Sequence, residues 1–272
     1  MGDTLPGGMT GRWRPWVAAA TLLALALPGP ASASVTIGSD LSSTPNYDSG
    51  LGTWANGALE NDLRAAGGLR SPVNGTITRW RIKVGARTAP VALRVIEPLG
   101  HGLFTGAGTD SPVVPATNAI SVFATRMAIS RGDAIGTDTL TDGSVTQFFG
   151  GGDPVNSRLL LWFQPSLADG DPGSTPNVDA GAYINLINAD VEPSSRFVVK
   201  RVKPLRGGLL WIAIRLPNLG RLRLGNTMVP VRSPGWKTPT VAAPAGSHLP
   251  ITFRPIGGVP FSRAIAIASL GA

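Results

Sequence analysis

Apolar residues in this chain recur at every second position in short runs, and Gly and Pro, 35 and 24 of its 272 residues, close nearly every run. That period belongs to half-buried strands, and the punctuation leaves little room for helices. In GTITRWRIKVG, residues 75–85, the alternation assigns Thr76, Thr78, Trp80, Ile82 and Val84 to one face, read as the core face. Ile77, Arg79, Arg81 and Lys83 fall on the other. After a turn at Arg87–Pro90, VALRVIEP has the composition of a partner strand, which would bring Arg94 beside those cations. AISVFATRMAI, DAIGTDTL, VTQFF, RLLLWFQ and AYINLINADV read as further strands. Only ALENDLRAAGG tempts a helical reading, and Gly67-Gly68 ends it after about two turns.

The chain changes sign in its middle. Residues 34–193 hold 10 basic and 15 acidic residues, whereas residues 194–272 hold 12 basic and none acidic; Asp190 and Glu192 are the last acids. Two compact units joined near Pro193-Ser194-Ser195 explain this better than one domain with scattered charge. The predicted architecture is all-β: a jelly-roll-like β-sandwich over 34–193, followed by a smaller immunoglobulin-like β-sandwich over 194–272. FVVKRVKP, GLLWIAIRLP, GRLRLGN, MVPVRS, KTPTVAAP, SHLPITFRP and FSRAIAIAS supply about seven strands for the second unit.

Residues 1–33 read as a signal peptide. Arg12 and Arg14 begin it, Val17–Leu27 is its apolar run, and Ala31-Ser32-Ala33 is a small-residue cleavage site. The run is well short of the ~20 residues a spanning helix needs. The expected location is therefore secreted, extracellular or at the cell surface, with no transmembrane segment after cleavage. No Cys is present, which excludes disulfides, thiol catalysis and cysteine metal sites. Arg outnumbers Lys 20 to 4, a high-GC bias under which the Asn74-Gly75-Thr76 sequon is not read as a glycosylation site.

SPVNGTITRWRIKVG, LRVIEP, FTGAGTDSPV, TRMAISRGDAIG, LADG and INADVEP, in that order, resemble a family of secreted β-sandwich proteins of high-GC soil bacteria for which no activity is established. LPNLGRLRLGN and APAGSHLPITFRPIGGVPFSRAIAIA are similar to the basic Ig-like β-sandwich repeat that often follows such modules. The resemblance implies strands and turns rather than catalytic groups. Relatives commonly carry a Cys-containing loop and an Asp-rich calcium repeat after NADVEP. Here no Cys is present, and Ser194-Ser195 leads straight into a strand, so calcium binding there is not carried over.

The residues offer little to an enzyme. Only His101 and His248 exist, one in each half. His101, in LGHGLF, reads as a turn residue without a nucleophile elbow. No cofactor is implied, and calcium is the one metal the residues leave open: Asp169, Asp171 and Asp179 lie in a Gly- and Pro-rich loop. That loop lacks a closing Glu and full alternate spacing, so a plain turn is the competing reading. A secreted hydrolase acting on glycans would draw carboxylates from Asp133, Asp138, Asp142 and Asp153; Asp133 reads equally as a turn cap.

Binding is the better lead. Arg79, Arg81, Lys83 and Arg94 in the first half, with Arg221 and Arg223 in the second, form basic strand faces suited to polyanions. Lys200, Arg201, Lys203 and Arg206 crowd the entry to the second half. The competing reading is that strand cations block edge pairing and maintain solubility. Trp54 and Trp236, in polar surroundings, are the candidates for stacking on sugars, whereas Trp80, Trp162 and Trp211 read as buried. The expected role is a non-catalytic binding or structural module at the cell envelope, contacting polysaccharide or anionic polymers. Export and the lack of an aromatic–basic motif argue against nucleic acid.

Overall fold

The computed structural model describes residues 34–57, 68–142, 144–149, 159–179, 183–244 and 246–267, all within one compact unit, Ser32–Ala272. The signal segment, the helical reading in ALENDLRAAGG up to Gly67, and Asp153 lie outside the described residues. Among the described residues the named strands pair antiparallel, and the fold is an all-β sandwich. Among the described residues no helix is long and apolar enough to cross a membrane.

In the first half the strands are β1 (Val35–Gly38), β2 (Tyr47–Ser49), β3 (Gly52–Gly57), β4 (Gly75–Val84), β5 (Val91–Gly100), β6 (Leu103–Thr109) and β7 (Ala119–Ile129). They continue as β8 (Ala134–Thr139), β9 (Ser144–Phe149), β10 (Leu159–Phe163), β11 (Asn177–Asp179), β12 (Tyr183–Asn185) and β13 (Ile187–Pro193). A sheet ordered β1-β13-β4-β7 faces one ordered β11-β10-β3-β8-β5-β6, and a small β12-β9-β2 sheet accompanies them. Ile37, Ile77, Trp80, Ile82, Val84 and Ile187 from the first sheet meet Val91, Leu93, Val95 and Ile135 from the second in the largest core of this half. The far face of the six-stranded sheet is apolar too, where Ala55, Ile96, Leu161 and Phe163 pack under Leu167.

Two pairings differ from the reading of the sequence. VALRVIEP forms β5, but its neighbours are β6 and β8 in the six-stranded sheet; β4 pairs with β13 and β7 instead. Burial on both faces explains β5's nearly unbroken apolar run, which a one-sided partner strand would not need. Within β4, Thr78 is an extra residue against β13, since Arg79 pairs with Asp190 while Ile77 pairs with Val191. Such a bulge shifts the alternation by one position. Ile77 therefore joins the core, and Thr76 and Thr78 are only half-buried.

The second half contributes β14 (Val198–Pro204), β15 (Leu209–Leu216), β16 (Gly220–Leu224), β17 (Thr227–Val231), β18 (Gly235–Lys237), β19 (Thr240–Ala242), β20 (His248–Pro255) and β21 (Phe261–Ala266). A β14-β15-β18 sheet, with β19 also on β15, faces a β17-β16-β20-β21 sheet. Between them lie Leu210, Ile212, Ile214, Leu222, Leu224, Ile251 and Phe253, all buried. No named sheet takes strands from both halves.

The halves meet through two asparagines. Asn74 N donates to Asn218 Oδ1 at 2.7 Å, while Asn218 Nδ2 donates to Asn74 O at 2.8 Å and Ser194 O at 2.7 Å. Asn74 Nδ2, the atom a glycan would occupy, donates to Pro217 O at 2.5 Å, and its Oδ1 accepts from Arg131 N. The sequon asparagine thus serves the seam. Asn218 is nearly fully buried, and every one of these backbone groups would otherwise lose a partner.

Candidate functional site

The three β4 cations do share an outer face, and two of them share one counter-ion there. Arg79 and Arg81 both donate to Asp190 on β13, at 2.5 and 2.7 Å, and Thr36 donates to the same carboxylate at 3.0 Å. Burial of Asp190 raises its pKa, but hydrogen bonds from Arg81, Arg79 and Thr36 outweigh this and bring it down to about 2. Lys83 turns its ammonium to Leu41 O and Ser42 O, at 3.1 and 3.2 Å. These side chains fasten β1, β13 and the 40–42 turn to β4.

Arg94 does not join them. It lies on β5 in the other sheet, 6 % exposed, and points under the 165–171 loop. Its Nε donates to Asp138 Oδ2 at 2.9 Å, and its guanidinium also pairs with Asp169. Thr53 donates to the other Asp138 oxygen at 2.5 Å and accepts from Leu167 N, and Thr109 donates to Asp169. A row of side chains across β3, β8, β5 and β6 therefore pins the loop to the sheet. Gly106 permits this approach, because a Cβ there would stand 2.6 Å from Arg94 and 2.8 Å from Ala168 O.

Asp169 is thus a partner of Arg94. Asp171 caps Ala168 N at 3.1 Å, and the side chain of Asp179 lies outside the described residues. Among the described residues no three His, Asp or Glu side chains gather as a metal would require. The hydrolase candidates are equally dispersed. Asp133 is buried and caps Ser130 N at 2.7 Å; burial raises its pKa, that hydrogen bond opposes the rise, and Glu97 adds to it. Asp138 sits in the Arg94 pair, and Asp142 accepts from Leu51 N. His101 is exposed in the turn between β5 and β6, with a positive φ of 53°, and His248 is exposed on β20.

The tryptophans sort differently from the sequence reading. Trp54 is 9 % exposed, its ring stacked on Trp162 at 5.2 Å and 9° and its Nε1 donating to Gly50 O. The half-exposed Trp162 covers it, so Trp54 offers no free face to a sugar. Trp80 is fully buried, Trp211 is half-buried, and Trp236 is 48 % exposed.

The second half carries its cations on two outer faces. On the β16 sheet, Arg221 and Arg223 point outward, and cross-strand pairing sets Arg254 and Thr252 beside them on one side, Pro230 and Met228 on the other. Arg223 also borders an open cleft of about 700 Å³ with Asn226, Thr227, Ser247, His248 and Thr252. On the β14-β15-β18 sheet, pairing sets Lys203 beside Trp211, Arg201 beside Ala213, and Arg215 between Val198 and Trp236. Lys200 is the extra residue of a bulge, and its ammonium lies 5.6 Å from the centre of the Trp236 ring; Lys203 stands likewise 5.8 Å from that of Trp211.

This second face was only partly visible in the sequence. Lys200, Arg201 and Lys203 are a conspicuous cluster, but Trp211 and Arg215 hide in an apolar run. Their signal is the alternation in LLWIAIRL, where Leu210, Ile212, Ile214 and Leu216 point inward and Trp211 and Arg215 the other way. Compared with family models, curated proteins and solved structures, the chain matches none.

Proposed function

We propose that the protein is a non-catalytic binding module of the cell envelope that holds anionic polymers, acidic polysaccharides foremost, through its C-terminal half. One observation carries this reading: residues 194–272 hold 12 basic side chains and no acidic one, so no side chain of that half supplies a counter-charge. Its Lys200, Arg201, Lys203, Arg215, Arg221, Arg223 and Arg254 are exposed on two sheet faces. Such surfaces attract extended polyanions and release bound counterions when they do. The export pattern of residues 1–33 supports a location among wall and extracellular polymers.

The test is retention of the chain from Ser34 onward on an immobilised polyanion at rising salt. Retention that weakens steeply with salt is expected. No retention, or retention indifferent to salt, removes the reading.

A further inference from the structure

Resting on that reading, we infer that the outer face of the β14-β15-β18 sheet is a platform for a polysaccharide whose sugars carry carboxylates, a uronic-acid polymer. The two basic faces of this half are not equivalent. Around Arg221 and Arg223, the cross-strand neighbours are Arg254, Thr252, Pro230 and Met228, which supply charge without an aromatic surface. Around Arg215, the neighbours include Trp236, and four residues along β15 stands Trp211, about 13 Å away at the rise of a strand. Each ring has a lysine ammonium over it, Lys200 5.6 Å from the centre of Trp236 and Lys203 5.8 Å from that of Trp211.

A flat apolar ring with a lysine ammonium above it complements a uronate residue, which gives its CH face to the ring once the long lysine side chain swings aside and offers that ammonium the carboxylate at its rim. The ring takes the sugar face, and the ammonium turns from the ring to the carboxylate, where a charge-assisted hydrogen bond is stronger than a cation–π contact. Two such units along one open sheet face suit an extended chain. Arg201 lies between them and Arg215 beside Trp236, where they can pair with further carboxylates of the chain. With no acid anywhere in residues 194–272, nothing in this half competes for these cations. Charge alone would accept any polyanion; the rings make this face select sugars.

The experiment measures binding of the chain from Ser34 onward to polygalacturonate, inorganic polyphosphate, a single-stranded thymidine oligonucleotide and a neutral glucan. Polygalacturonate is expected to bind tightest and the neutral glucan not at all. Trp236→Ala should weaken polygalacturonate about ten-fold, the loss of one stacked ring, and leave polyphosphate within about two-fold. Trp236→Phe should restore most of that loss. Lys200→Gln with Arg215→Gln should weaken both polymers. The double change Arg221→Gln with Arg223→Gln should weaken polyphosphate more than polygalacturonate. An equal effect of Trp236→Ala on both polymers, or an oligonucleotide bound as tightly as polygalacturonate, overturns the inference and leaves the polyanion reading standing. Absence of binding to every polyanion overturns both.

Discussion

Arg81 on β4 and Arg223 on β16 are both arginines alternating with buried apolar residues on a sandwich strand, and they have opposite fates. Arg81 bonds to Asn188 and Asp190 on its neighbour strand, whereas Arg223 has no acidic side chain in its half and, among the described residues, bonds to Gly225 O alone. The same contrast separates Arg94, buried against Asp138 and Asp169, from Arg215, exposed beside Trp236. Arg79, Arg81, Lys83 and Arg94 of the first half are structural fasteners, although Arg126 on β7 is exposed; the strand cations of the second half remain available to something outside the chain. What differs is the residue across the strand, not the cation or its alternation.

The contrast breaks if a fastener can be removed cheaply. Arg94→Met should be the most damaging change, costing about 3–5 kcal/mol because Asp138 is left buried without its counter-charge, measured by denaturant unfolding. A double change with Asp138→Leu should recover much of this loss. Polyanion retention per folded molecule should not move.

Asp190 sharpens the same point through pH. Its folded pKa of about 2 lies below the ordinary 3.8, so the stabilisation is present above about pH 4 and disappears as pH falls toward 2. Asp190→Asn should remove about 2 kcal/mol at neutral pH and flatten the acid limb of stability between pH 4 and 2. A wild-type stability that does not change across that window would contradict the pairing.

At the seam, Asn218→Ala should cost about 1–3 kcal/mol, since the partly buried Asn74 N and Ser194 O lose their partners. Hydrogen exchange should quicken around Asn74 and Ser194 before it does in either core. The smallest stability effect belongs to the exposed cations. Arg221→Ala with Arg223→Ala should stay within about 0.5 kcal/mol of wild type. The same pair should lower the slope of log affinity against log salt by roughly two, one per neutralised charge. A large loss of stability here would erase the distinction between the halves.

Strand identity was legible where alternation and Gly/Pro punctuation are local, as in β4, β5, β7 and β15, but β1, β2, β3, β6, β11 and β18, short or Gly-rich, went unread. Strand partnership was not. VALRVIEP read as the neighbour of β4 since consecutive strands usually pair, yet burial on both faces drew it into the other sheet and took Arg94 with it. The phase of β4 was misread from Thr76 to Thr78 for a similar reason: a bulge is imposed by the partner strand and leaves no mark on the strand that carries it. Exposure of tryptophan went wrong in both directions. Polar neighbours in sequence made Trp54 look free, and apolar neighbours made Trp211 look buried, but in a strand the flanking residues lie on the opposite face.

The sequence by itself determined the all-β class, the absence of thiol chemistry, and the division of charge that leaves residues 194–272 without an acid. These follow from composition and period, which no packing can alter. Only the tertiary structure decided which cations are neutralised and which rings are exposed. Cross-strand neighbours come from segments far apart in the chain, Asp190 reaching back to Arg79 and Trp236 to Lys200, and their meeting depends on sheet order and register.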